Sequence, residues 1–322
     1  MQKRILVTGG AGFIGSHLVD ELIKRGSDPG DIIVIDDLST GKIENVNPDV
    51  KVKAVNLCHY STWELQGLLQ KEHIQEVYHL AARARVQPSY LSPHDYILDN
   101  VIGTQKLLEA CRLAGIKKIV FASSSTVSYG NYLNRDRGEY TGRTIFKDSP
   151  YSLSKHMGEE LCHMYKNLYD MKIVVLRYFS VYGEKMDLSE SNSTVLSRIL
   201  KTACTDSTFF LYGSGNQSRD FTHVCDIVNG TISAMENSLR LEFDYYELGS
   251  TNSVKLNVIL KLFPGLRIEK IPAKKEIMHT NANSADAHYG FGYSKSVDVI
   301  EWMKDQSNNL DYWKQRLELY EN

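Results

Sequence analysis

Tyr151 and Lys155 stand four residues apart in Tyr151-Ser152-Leu153-Ser154-Lys155, just after Pro150, at what reads as the first turn of a helix. Side chains at i and i+4 share one helix face, so a phenol and an ammonium can enter the same cleft. A phenol with an ordinary pKa of about 10 is a poor base at neutral pH. A nearby cation favours the phenolate and brings it toward working pH. Taken alone, the pair reads first as a solvated surface pair. The chemistry depends on the elements that would hold it.

Those elements begin with Arg4 to Thr8, whose apolar run Ile5-Leu6-Val7 suits a buried parallel strand. It leads straight into Gly9-Gly10-Ala11-Gly12-Phe13-Ile14-Gly15, then a helical pattern through Leu18, Leu22 and Ile23 that stops at Gly26. Strand, glycine turn and helix in this order make a dinucleotide fingerprint. The first glycine permits the tight turn, the second lets a pyrophosphate approach, and the third allows helix and strand to pack closely. A second strand, Ile32 to Ile35, ends at Asp36-Asp37, about 20 residues beyond the last glycine, where an acid holds the adenosine ribose. A carboxylate there repels a 2′-phosphate, so the expected cofactor is NAD rather than NADP.

Strands and helices continue to alternate: Val52 to Leu57 as strand, Thr62 to Gln70 as helix, Ile74 to Leu80 as strand ending in Ala81-Ala82, a helix over about 94–113, and Lys118 to Ala122 as strand. The small Ala81 and Ala82 suit backbone lying against a ligand. Asn56, at a strand end, suits either a bond to adenine or a polar turn cap. Asn100 is an odd residue inside a helix and suits a tie to the loop that carries catalytic groups. The next strand ends in Ser123-Ser124-Ser125-Thr126, and ligands sit beyond the carboxyl ends of parallel strands. One of these hydroxyls is assigned to the chemistry and the others to backbone. A charged loop from Asn131 to Lys147 precedes the Tyr151 helix, and Lys172 to Leu176 is the strand after it.

From Arg177 the pattern changes. Gly213-Ser214-Gly215-Asn216-Gln217-Ser218-Arg219 sets glycines and amides beside an arginine, which suits a cavity for a diphosphate. Val224 to Met235 reads as helix, Asp244 to Leu248 as strand, and two more helical stretches follow. Arg83 and Arg85 suit an acidic sugar, a phosphate, or exposed loop charge.

Composition excludes other classes. The 322 residues, 42% hydrophobic, suffice for a large core, and a net charge of −2 makes no case for nucleic acid or an anionic membrane. The five cysteines lack metal-ligand spacing and fit free thiols in a reducing cytoplasm. No 18-residue apolar run is present, and Met1 leads within three residues into a strand, which leaves no signal peptide to expect.

Taken together, the chain resembles an extended short-chain dehydrogenase/reductase of the nucleotide-sugar branch, the group of UDP-galactose, UDP-glucuronate and UDP-N-acetylglucosamine 4-epimerases and sugar 4,6-dehydratases. The resemblance covers nearly the full length. It rests on T-G-G-A-G-F-I-G-S-H from Thr8, H-L-A-A from His79, N-V-x-G-T from Asn100, S-S-S before Tyr129-Gly130, the Tyr151/Lys155 pair, L-R-Y-F from Leu176 and R-D-F-T-H-V from Arg219. It implies an α/β fold, a Rossmann-type doubly wound parallel sheet with a smaller C-terminal lobe for substrate. The expected division is 1–176 plus about 224–249 for NAD, and 177–223 plus about 250–322 for the nucleotide sugar.

The resemblance also implies roles. Tyr151 is the general base, Lys155 holds the nicotinamide ribose and lowers the tyrosine pKa, and a serine shares the proton. Counting from Phe121 makes that serine Ser124, and counting back from Tyr129 makes it Ser125. Cofactor contacts implied are Gly9, Gly12, Phe13, Ile14, Gly15, Asp36, Asp37, Ser39, Thr40, Gly41, Asn56 and Leu57. Leu80, Ala81, Ala82, Asn100, Tyr151, Lys155 and Phe179 complete them. Substrate contacts implied are Arg85, Ser124, Ser180, Arg219 and Asn283, with no metal.

The expected reaction is inversion at C4 of a UDP-hexose through a transient 4-keto sugar. Dehydratases of this group carry Asp-Glu just after the catalytic hydroxyl, and Ser125-Thr126-Val127 here has neither. The dehydratase is the alternative reading, and a silent NAD-binding regulator on the same fold is a second. Asn56 and Asn283 stand where relatives have Asp, Ser180 where they have Asn, and Lys274 and Lys275 provide no arginine for a second phosphate clamp. A homodimer is implied through a four-helix bundle of the helices near 94–113 and 151–169.

Overall fold

Ile5-Leu6-Val7 is buried on both faces because it is a central strand of a seven-stranded sheet. The computed structural model describes residues 3–128, 149–190, 192–241, 245–272 and 277–321. The sheet comprises β1 (Ile5–Thr8), β2 (Ile32–Asp36), β3 (Lys51–Ala54), β4 (Glu76–His79), β5 (Lys118–Ser124), β6 (Lys172–Tyr178) and the strand Tyr246–Leu248. Every pairing is parallel, in the order β3-β2-β1-β4-β5-β6 and then Tyr246–Leu248. The order reverses between β1 and β4, which is where a doubly wound sheet opens its ligand crevice. This is the Rossmann-type arrangement.

Alternation along the strands divides the core into two layers. Ile5 and Val7 pack with Leu18, Val224 and Tyr246 on one face, while Leu6 packs with Leu107, Phe121 and Cys162 on the other. A third apolar cluster, including Tyr182, Leu196, Phe209, Trp302 and Trp313, is drawn from residues 182–317. Its strands Thr208–Tyr212 and Arg267–Ile271 pair in parallel, and Ser218–Asp220 pairs antiparallel with Ser253–Lys255. The helix Ala285–Phe291 sends Ala287 and Phe291 into the core on the Val224 face of the main sheet.

Several elements differ from expectation. β5 and β6 run two residues further, to Ser124 and Tyr178, so Ser123 and Ser124 still hold the sheet ladder. The helix expected over 94–113 runs from Pro93 to Ala114, with a π-helical turn at Leu98–Ile102 that contains Asn100. Beyond Leu248, where two helical stretches are expected, the described residues hold four: Leu256–Leu260, Ala285–Phe291, Val299–Asn308 and Asp311–Glu321. Tyr129, Gly130, the loop from Asn131 to Lys147, Asp244, Lys274 and Lys275 lie outside the described residues. Among the described residues the five cysteines are free, and no helix is long and apolar enough to cross a membrane.

Candidate active site

The carboxyl ends of β1, β2, β4, β5 and β6 border a cavity of about 1590 Å³. A pocket for one drug-sized ligand occupies roughly 300–1,000 Å³, so there is room for a dinucleotide and a second nucleotide together. The cofactor end is built by backbone. The helix Phe13–Lys24 starts at Gly12 with no side-chain cap and no acid in its first turn, so its orphan N–H groups favour an anion. Gly9 adopts φ +72°, and a Cβ there would lie 2.7 Å from the Ala81 nitrogen. A Cβ on Gly15 would stand 2.1 Å from the Gly9 carbonyl oxygen. Only glycine fits, and the resulting cradle suits the pyrophosphate of NAD.

Asp36 is buried at the end of β2, and burial raises its pKa although the N–H groups of Ala11 and Leu38 donate to its carboxylate. It reaches the cavity wall beside Asp37, Ser39 and Thr40. Gly41 sits behind it, where a Cβ would meet Asp36 Oδ1 at 2.7 Å. Two carboxylates on this rim disfavour a 2′-phosphate, so the donor set fits NAD. Asn56 takes the polar-cap alternative: its Oδ1 accepts from the Cys58 N–H, and its Nδ2 donates to Asp37 and Asp99 at 3.0 Å each.

The reacting end is built by β5 and the helix Pro150–Tyr169. Ser149 caps that helix by accepting from the Ser152 N–H, which fixes Tyr151 in the first turn. Tyr151 and Lys155 both reach the cavity wall, as do Ser124 and Ser125. Ser124 faces Tyr151 closely enough to lower the pKa of its phenol. Ser124 Oγ accepts from both the backbone N–H and the hydroxyl of Thr126. With both lone pairs occupied, its single hydrogen is left to point at the phenol oxygen, which favours the phenolate. Ser124 Oγ is thereby set to donate toward Tyr151, and Ser125 lines the same wall. Thr126, which the sequence offered only as a loop hydroxyl, sets that direction.

Burial raises the Tyr151 pKa, while the Ser124 bond and the Arg85 guanidinium pull it down. Lys155 was expected to supply that cation. Instead its ammonium lies 4.6 Å above the Phe121 ring and is 4% exposed. Burial lowers its pKa to about 8, with Cys162 and Glu159 acting in the opposite sense. A pKa of about 8 in the fold against 10.5 in the free side chain means that the unfolded chain holds an extra proton between those values. Stability from this group therefore rises with pH across that window and is flat below it. Relative to Lys155→Met, the cofactor-free protein is expected to gain up to ~3 kcal/mol between pH 8 and 10.5, read by urea unfolding. A gap that does not change with pH would contradict the burial of a charged Lys155.

The remaining motif residues hold these groups in place. Thr104 donates to the Asn100 carbonyl at 2.6 Å, so His79 Nε2 must donate to Thr104, and His79 Nδ1 accepts from Thr8. Burial keeps this histidine neutral, with a pKa lowered to about 3. Asn100 bonds both the N–H and carbonyl of Arg83 and donates to Ser154 Oγ. It ties its helix to the 81–85 loop and to the Tyr151 helix from behind the wall. Glu159, one turn beyond Lys155, accepts from Ser123 at 2.5 Å and from Arg177 at 2.9 and 2.6 Å.

Most of the remaining expected cofactor and substrate residues line the cavity, including Gly12, Phe13, Ile14, Leu57, Leu80, Ala81, Ala82, Arg85, Ser180 and Arg219. Four expected residues do not. Gly41 and Asn100 act through others, Phe179 is buried in the core, and the Asn283 N–H donates to Glu247. The wall also takes Tyr96, Lys185, Asp187, Asn192 and Tyr320, none of which belongs to a short motif that sequence reading could have caught.

The sequence profile of the NAD dependent epimerase/dehydratase family matches residues 5–249. A putative UDP-glucose 4-epimerase of Methanocaldococcus jannaschii is 34% identical over 94% of this chain and 99% of its own length. A UDP-N-acetyl-alpha-D-glucosaminuronate decarboxylase of Bacillus cytotoxicus is 28% identical over 96% and 100%. The crystal structure of UDP-glucuronic acid 4-epimerase from Bacillus cereus, in complex with UDP-glucuronic acid and NAD, superposes with a TM-score of 0.78. It is 29% identical, covering 97% of this chain and 99% of that one.

Proposed function

This chain belongs to the NAD-dependent epimerase/dehydratase family, and we propose that it inverts C4 of a UDP-linked hexose. The observation that carries the reading is the convergence of Ser124, Tyr151 and Lys155 on the wall of a cavity large enough for NAD and a nucleotide sugar. NAD, when bound, supplies a ring that takes up the C4 hydrogen and gives it back. Tyr151 accepts the C4-hydroxyl proton as the 4-keto sugar forms and returns it when the ketone is reduced on its other face. Ser124 donates to the phenolate, and Lys155 holds the nicotinamide ribose. Arg219 anchors the diphosphate while the sugar turns. The NAD half is 1–176 with about 224–249 and the sugar half 177–223 with about 250–322, except that β6 runs on to Tyr178 and the helix Ala285–Phe291 packs on the NAD sheet.

Elimination of water across C5 and C6 needs an acid and a base beside the ketone, which the dehydratases carry as Asp-Glu, and Ser125-Thr126-Val127 offers neither. Incubation with UDP-glucose, UDP-N-acetylglucosamine and UDP-glucuronate, followed by NMR, tests this. A C4-inverted product of unchanged mass is expected. A 4-keto-6-deoxy product would establish the dehydratase instead, and tight binding without turnover would leave only a nucleotide-binding regulator.

A homodimer is the assembly this surface supports. Leu153, Met157, Met164 and Leu168 are exposed along the Pro150–Tyr169 helix, and Leu98 and Ile102 are exposed on the Pro93–Ala114 helix. Each leucine buried contributes about 1.5–3 kcal/mol. Leu153→Asp combined with Leu168→Asp is therefore expected to weaken the dimer at least ~100-fold. Light scattering should change from dimer to monomer mass, and an unchanged mass would place the interface elsewhere.

A further inference from the structure

Arg85 holds a backbone conformation that disfavours it. Its φ is +83°, in the region where glycine is relaxed and a side chain with a Cβ is strained by about 1–3 kcal/mol. It precedes the short helix Val86–Leu91, so no helical hydrogen bond demands this residue type. Strain of this kind persists where the side chain is needed, so what the guanidinium does is the question. Its Nε donates to the Asn192 carbonyl at 2.6 Å, which braces it across the cleft. Neither terminal nitrogen has an acceptor, and no carboxylate lies within ion-pair distance, among the described residues. Arg85 lines the cavity wall.

Two other cations on the wall are paired with carboxylates. Arg83 is paired with Asp99 at 2.5 Å, and Lys185 with Asp20 at 2.6 Å. Arg85 is next to the reacting centre. Ala84, the residue before it, accepts from the Tyr96 hydroxyl at 2.6 Å, and the Tyr96 ring meets the Tyr151 ring edge-on at 6.1 Å. Tyr151 faces C4 of the sugar in the reading above, on which this inference rests. One carbon further round the ring, C5 carries C6, the position that is a hydroxymethyl group in neutral hexoses and a carboxylate in uronates. Two parallel N–H donors match a carboxylate as a fork and have no such match in one hydroxyl.

We propose that Arg85 is a specificity-determining residue whose two terminal nitrogens bind the C6 carboxylate of a UDP-linked uronic acid, making a hexuronate the preferred substrate. The Arg85–Asn192 bond prevents the guanidinium from turning toward the diphosphate. The strain at φ +83° is the cost of carrying a cation at this position.

Isothermal titration of UDP-glucuronate, UDP-glucose and UDP against the NAD-loaded protein tests the proposal, with Arg85→Gly and Arg85→Lys as variants. Wild type is expected to bind the uronate more tightly than the neutral sugar. Arg85→Gly should weaken the uronate by roughly 10- to 100-fold, the value of a charged hydrogen bond, and change UDP-glucose and UDP by less than about threefold. Arg85→Lys should recover part of the loss, because it keeps the charge without the fork. Relief of backbone strain should leave the melting temperature of Arg85→Gly equal to or above wild type. Wild-type preference for the neutral sugar, or equal losses for uronate and UDP, would overturn the proposal. Its failure is separable from that of the epimerase reading. Charge discrimination without C4 inversion sinks only the reaction, and inversion without charge discrimination sinks only the role of Arg85.

Discussion

Tyr151→Phe is expected to lower UDP-sugar turnover by two to four orders of magnitude while leaving the fold and NAD binding unchanged. The substitution removes one oxygen. The Phe ring keeps its edge-on contact with Tyr96, and the Ser149 cap that starts the helix involves backbone at Ser152, not the phenol. What disappears is the atom that takes the C4-hydroxyl proton, and positioned proton transfer contributes typically 10²–10⁴-fold. Ser124→Ala should cost less, since it removes a donor to the phenolate and not the base. Ser125→Ala is expected to cost least if Ser124 is the hydroxyl that shares the proton, and the larger loss of the two identifies that serine. Single-turnover rates with the three variants give the order directly. A Tyr151→Phe protein within tenfold of wild type would remove the phenol from the chemistry.

The second large effect is on stability. Glu159→Ala is expected to destabilise the protein by about 3–5 kcal/mol, because it leaves a buried arginine without its counter-charge. The Glu159 and Arg177 side chains are 1% and 7% exposed, and two Arg177 nitrogens and the Ser123 hydroxyl converge on the carboxylate. The pair joins the end of β5, the middle of the Tyr151 helix and β6 in one contact, one residue from Ser124. Glu159 also raises the Lys155 pKa, so its loss should move that ammonium further below 8. Urea denaturation measures the first effect. A loss under 1 kcal/mol would mean that Arg177 is compensated elsewhere, for which the Ser128 hydroxyl at 3.2 Å and the Tyr245 ring at 3.4 Å are the candidates.

The parts of the fold legible in the sequence are those written in local pattern. Ile5-Leu6-Val7 followed by glycines announces a buried strand and its turn, because Gly9 and Gly15 tolerate no Cβ where they stand. Asp36 and the Tyr151/Lys155 spacing are legible for the same reason, since fixed offsets along a strand or helix fix direction. The Ser124/Ser125 ambiguity could not be resolved by counting, because β5 keeps its ladder to Ser124 and both serines reach the cavity wall. Asn100 looked like a helix residue of poor propensity. It lies in a π turn whose extra residue lets the amide face the loop at Arg83, and no short-range signal marks such a turn. Arg85 was visible as a charge but not as a strained one, since φ is a property of the fold. The lobe around Trp302 and Trp313 was hardest to read, because its short strands pair at long range.

The most direct test of C4 inversion at the Ser124–Tyr151 centre uses UDP-glucuronate deuterated at C4, turned over in ordinary water and followed by NMR and mass spectrometry. The account predicts a C4-inverted product that keeps its deuterium at C4 and its full mass, with the conversion lost in Tyr151→Phe. Loss of the label to solvent, or of carbon dioxide or water from the sugar, would contradict it.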